Sequence, residues 1–297
     1  FFSVPHPCNM WLISLLLLSS LVDLSLAADK TVSAHGTTVQ VMGSSGKFTV
    51  TPNTTNATSV QVTMDALREV DTAGNSVGSS GSTKHSINTF AAQDFTITTN
   101  TSGMIGNASA VIVSFNSPIS TIGQIAVDTY LIQTAGVVNT SSESWTVAPG
   151  DLKWSITLSN WDWCGCSKGQ STEVGDGVEV DITTTGSSTA SNGTSSNSKY
   201  DMGGGITLSL SNVVNADGKW ATMKTGYPKV VGNGNKRTFT FHFPRFTTYA
   251  TYDPLLSMPS SDSGSSNVIV PSGAPAHSGP AIALSAAAAF IFLLLLH

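Results

Sequence analysis

Charge is what this sequence has least of. Of its 297 residues only 10% are Asp, Glu, Lys or Arg, 13 basic and 18 acidic, where a soluble domain ordinarily carries about 25%. Its surface is therefore not ionic. No basic run occurs and the net charge is -5. That excludes nucleic acid as a partner, because such affinity comes from Lys and Arg neutralising phosphates. Acidic residues are equally dispersed, with no run of even three. Cysteine is scarce, three in all, which is too few for the disulfide framework of a small secreted domain or for a four-ligand zinc site. A helical period is missing as well. No twelve-residue stretch between Asp29 and Met258 repeats every 3.6 residues, which excludes a helical bundle.

Hydroxyls fill the place of charge: 43 Ser and 36 Thr, with 27 Gly. Apolar and polar residues alternate in Val60–Met64, Phe95–Ile97, Trp154–Leu158, Ile206–Leu210 and Phe239–Phe243, the period of a strand with one buried face. Turn signals separate these segments at Ala73-Gly-Asn75, Pro149-Gly-Asp151, Ala216-Asp-Gly218 and Gly232-Asn-Gly-Asn235. The expected fold is all-β, an antiparallel sandwich, either one large or two tandem small ones with a seam near residue 150. A Gly/Ser/Thr/Asn stretch from Thr183 to Lys199 reads as a surface insertion.

Both ends are apolar and stand outside this pattern. Residues 1–27 read as upstream residues and a signal peptide, whose apolar core Leu15–Leu18 leads to Ser25-Leu26-Ala27. Residues 28–257 form the β-rich extracellular region, and 258–272 a Ser/Pro-rich stalk. Residues 273–297 read as the propeptide of a glycosylphosphatidylinositol (GPI) anchor attached at Ser272 or Gly273, with a tail-anchored helix as the alternative. The expected site of residence is the outer face of the plasma membrane or the extracellular matrix. Six sequons fit N-glycosylation: Asn53, Asn56, Asn100, Asn107, Asn139 and Asn192. Cys164 and Cys166 either bridge within the chain, closing a tight ring, or pair with a second copy to give a disulfide-linked dimer.

Several segments run in a familiar order: Glu69-Val-Asp-Thr-Ala-Gly-Asn75, Lys84–Ile97, Asn160-Trp-Asp-Trp-Cys164, Tyr200-Asp-Met-Gly-Gly-Gly205, Asp217-Gly-Lys-Trp220, Gly226-Tyr-Pro-Lys229, Lys236–Phe246 and Tyr252-Asp-Pro-Leu255. From about Val60 to Leu256 the chain resembles the skeletal aspartic-acid-rich, or coral acid-rich, proteins of the skeletal organic matrix. The resemblance implies secretion into a calcifying space and a part in calcium binding. Here the long aspartate tracts credited with that chemistry are absent.

No arrangement of residues reads as catalytic, and the expectation is a protein that is not an enzyme and has no cofactor. Gly74-Asn-Ser-Val-Gly78 matches a nucleophile elbow, but a loop follows where that motif needs a helix, so it reads as a hairpin turn. Asp176, Glu179 and Asp181 are the densest acidic group. All three are the candidates for a weak calcium site, Glu179 and Asp181 sharing a strand face. Trp161 and Trp163 also share a face and are candidates for stacking on a carbohydrate, although burial in a core accounts for them too. The function this sequence supports is a surface glycoprotein of matrix or adhesion type, the alternative being a carbohydrate- or calcium-binding module.

Overall fold

A computed structural model describes residues 28–54, 58–77, 85–91, 93–120, 122–140, 143–164, 175–186, 197–233 and 235–259. The signal-peptide and anchor segments, Asn56, Asn192, Cys166, Ser272 and Gly273 lie outside the described residues. Every regular element described is a strand: β1 Lys30–Ala34, β2 Thr37–Met42, β3 Lys47–Pro52, β4 Val60–Val70, β5 Ser86–Ile87, β6 Thr96–Ile105, β7 Ala108–Ile119, β8 Gly123–Ile132, β9 Gly136–Thr140, β10 Glu143–Val147, β11 Leu152–Ser159, β12 Gly177–Thr185, β13 Asn197–Gly203, β14 Ile206–Ser211, β15 Val213–Ala216, β16 Lys219–Thr222, β17 Lys229–Asn233, β18 Lys236–Pro244, β19 Tyr249–Tyr252 and β20 Leu255–Ser257.

The strands pair antiparallel throughout. The first sheet runs β1-β2-β3-β4-β12-β18-β17, with β5 on the free end of β4. In the second, β6, β7, β8 and β11 are successive neighbours. The far edge of β11 is divided: Leu152 and Lys153 pair with β20, and Ile156 to Ser159 pair with β19. The sheet therefore forks into β20-β14-β13 and β19-β15-β16. Both sheets draw strands from either side of residue 150, so the Pro149-Gly150 turn does not divide them.

Alternation explains the packing. In β2 and β3 every second residue is buried, and one apolar core joins residues of both sheets. Phe48 of the first sheet meets Phe115 and Trp154 of the second, and Phe241 meets Tyr252. Tight turns fall where the sequence placed them. Asp217 and Gly218 both have positive φ in the β15–β16 hairpin, as a two-residue turn with the right twist requires. Gly74 (φ 84°) closes the β4 hairpin, where Asp71 accepts hydrogen bonds from the Ala73 and Asn75 amides.

One irregularity positions everything below. Val60, Val62 and Met64 are buried at period two, but the next core residue is Leu67. A β-bulge lies there: Asp181 pairs with Ala66 and Ile182 with Met64, leaving Asp65 as the extra residue. An extra residue moves every later side chain to the opposite face. Glu69 is thereby turned into the space between the sheets, and Arg68 onto the outer face.

Candidate functional site

Glu69 is fully buried, and an unpaired carboxylate there would carry a large desolvation cost. The fold surrounds it with donors instead. Trp161 Nε1 donates to Oε2 at 3.0 Å, and the Cys164 amide donates to both carboxylate oxygens at 3.0 and 3.2 Å. His85 Nδ1 lies 2.9 Å from Oε2. Gly175 closes the site, and a Cβ there would overlap the Glu69 carboxylate. Trp163 packs beside it, 6.2 Å from Trp161 between ring centroids. Its Nε1 donates to the Phe246 carbonyl at 2.9 Å, and Arg245 covers one face of its ring. The two indoles offered by the sequence as a stacking platform are thus core residues with both N–H groups committed, and their faces meet protein.

On the outer face of the first sheet, Arg68 of β4 sits opposite Glu179 of β12, with Asp181 next along the same face. Glu179 and Asp181 do share that face. Arg68 Nη1 donates to Asp181 Oδ2 at 2.6 Å and its Nη2 to Glu179 Oε2. Glu179 Oε1 receives the Tyr227 hydroxyl and, at 3.1 Å, Lys229 Nζ, while Thr240 donates to Asp181 Oδ1 at 2.6 Å. All four carboxylate oxygens have protein partners, and two cations balance the two anions. Burial disfavours the Glu179 carboxylate, but the bonds from Tyr227, Lys229 and Arg68 outweigh it and hold its pKa below the usual range. Burial likewise opposes the charge on Arg68, and its bond to Asp181 with the two nearby carboxylates raises its pKa. Asp176, just ahead of β12, lies 3.8 Å from Lys224 Nζ. Among the described residues no group of three or more His, Cys, Asp or Glu side chains is arranged to hold a metal ion.

His242 completes this face. It is buried, its ring lies 5.1 Å from that of Tyr227, and neither ring nitrogen has a hydrogen-bond partner among the described residues. Burial pushes its pKa down. Gly177 makes room for it, since a Cβ there would come within 2.6 Å of Nε2.

The other sequence candidates divide simply. Asn53, Asn100, Asn107 and Asn139 are exposed. Cys164 is buried and disulfide-bonded. Arg68, Glu69 and Tyr227 were not singled out by sequence reasoning as a site. The available signal was the three-residue step from Met64 to Leu67, which breaks the period of β4.

The family model of the acidic skeletal organic matrix protein matches residues 19–198 and 187–297. This chain belongs to that family. Membership covers most of the sequence and agrees with the ordered segments from Glu69 to Leu255. In this family member several acids are put to internal use: besides Glu69, Glu179 and Asp181, Asp71 and Asp217 cap turns through backbone amides, and Asp151 accepts from Ala148 and Met258.

Proposed function

We propose that this chain is a non-enzymatic, secreted glycoprotein of the skeletal organic matrix, held on the outer face of the plasma membrane by a lipid anchor. It acts there as a sparsely charged β scaffold and not as a polyacid that templates mineral. The observation that carries this reading is the internal pairing of Glu69, Glu179 and Asp181. Mineral surfaces and calcium need several free carboxylate oxygens at once, whereas Glu69, Glu179 and Asp181 are saturated by protein donors. Four exposed sequons support a glycosylated surface. The burial of Cys164 supports a bridge to Cys166 over exchange with a second copy.

Treatment of intact expressing cells with phosphatidylinositol-specific phospholipase C tests the anchor. Release of a soluble glycoprotein beginning near Ala28, shortened by peptide N-glycosidase F, is the expected result. Retention with Ala281–Leu296 still attached would refute it. Non-reducing electrophoresis after alkylation on the cell tests the cysteines, a monomer that takes up no label being expected.

A further inference from the structure

Among the described residues the most exposed indole is not one of the pair in the Trp161-Asp-Trp163 segment. Trp220 lies on the edge strand β16 and is 36% exposed. Pairing sets its neighbours: Trp220 is opposite Asn215, Asn215 opposite Thr251, Thr251 opposite Thr157, and Thr157 opposite Ala126. Residues on either side of these in their strands, Val214, Ala250, Ile156 and Val127 among them, point into the core. The row Ala126, Thr157, Thr251, Asn215, Trp220 therefore lies on the outer face of the second sheet. It spans about 19 Å at the usual strand spacing. Tyr249 lies on the same face next to it, opposite Ser159.

This row has the chemistry of a sugar-binding surface. It carries no charge along its length. Hydroxyl groups stand at Thr157 and Thr251, which share a hydrogen bond of 2.9 Å, and an amide stands at Asn215. Asn215 Oδ1 is shielded from solvent and has no hydrogen-bond partner among the described residues, so the hydroxyls of the row, and not this oxygen, are within a ligand's reach. Trp220 supplies an apolar ring face at the end, and Tyr249 a phenol beside it. The neighbouring row contributes Asp128, paired across from Ser155, which disfavours a polyanion on this face. We infer that the outer face of the second sheet at Trp220 binds a neutral polysaccharide, one sugar stacking on the indole and its neighbours' hydroxyls donating to the Thr251 and Thr157 hydroxyl oxygens. The site goes beyond the anchored-scaffold reading and stands or falls separately from it.

Titration of the intact glycoprotein with cellohexaose and chitohexaose, followed by calorimetry and tryptophan emission, tests the site. Saturable binding is expected with at least one of the two. Trp220→Ala should weaken it by about tenfold or more, and Trp220→Phe should restore part of it. The urea midpoint should fall modestly in Trp220→Ala, because the indole is 36% exposed and partly packed, and less in Trp220→Phe, while the protein stays folded at the temperature of the titration. Sulfated dextran should not compete. No saturable binding of either hexasaccharide, binding unchanged by Trp220→Ala, or preference for the sulfated polymer would each overturn the inference. None of these outcomes depends on the anchor.

Discussion

Replacing Glu69 by alanine isolates the interaction on which the meeting of the two sheets at this end depends. The substitution strands two buried donors, Trp161 Nε1 and the Cys164 amide, in a site with no exposure at Glu69. Each buried donor left without a partner costs about 1–3 kcal/mol, so the pair costs about 2–6 kcal/mol. His85 is partly exposed and can turn to water, and adds little. Against a typical stability of about 5–15 kcal/mol this is a large fraction. Urea unfolding followed by tryptophan emission reads it directly: the midpoint should fall by an amount corresponding to about 4 kcal/mol, with an unchanged dependence on urea concentration. Glu69→Gln keeps an acceptor oxygen and should lose roughly half as much. A loss below about 1 kcal/mol in Glu69→Ala would refute the reasoning, since water or a rearranged backbone would then be satisfying both donors.

Glu179→Ala should cost about 3 kcal/mol, the lower end of the range for a broken buried pair, because Arg68 retains partial access to water; the urea midpoint measures it. His242 has a folded pKa below its unfolded value, so as pH falls below about 6.5 the unfolded chain takes up a proton first and stability declines. The groups facing it are Asp176, Glu179, Lys224 and Lys229. Compared with His242→Gln, the native protein should lose stability more steeply as pH falls below about 6.5, by at most about 1.4 kcal/mol per pH unit, and identical slopes would contradict the assignment. Gly175→Ala should destabilise by about 1–3 kcal/mol through overlap with the Glu69 carboxylate, seen in the same urea titration.

The strands and turns were legible because alternation is a local property. The segments around Val60, Trp154, Ile206 and Phe239 all lie in strands, and Asp217-Gly218 forms its hairpin. That Glu179 and Asp181 share a face followed from the same period. Their occupants did not, because Arg68, Tyr227 and Lys229 reach them from 111, 48 and 50 residues away. Glu69 was hidden for a sharper reason. Continuing the period of Val60, Val62 and Met64 would send Glu69 outward and Arg68 inward, and the bulge at Asp65-Ala66 exchanges them. Trp161 and Trp163 share a face under either reading. Whether that face meets solvent or core depends on Phe246 and Glu69, which lie far off in the chain.

Glu69, Glu179 and Asp181 of this matrix protein are used up inside the fold. Calcium titration of the native glycoprotein tests this most directly, by calorimetry and by the urea midpoint with and without 10 mM calcium. A site with a Kd near 0.1 mM would add about 2.7 kcal/mol at that concentration. No saturable heat and a much smaller shift are expected. A shift of the full size that Glu179→Gln and Asp181→Asn abolish would contradict it.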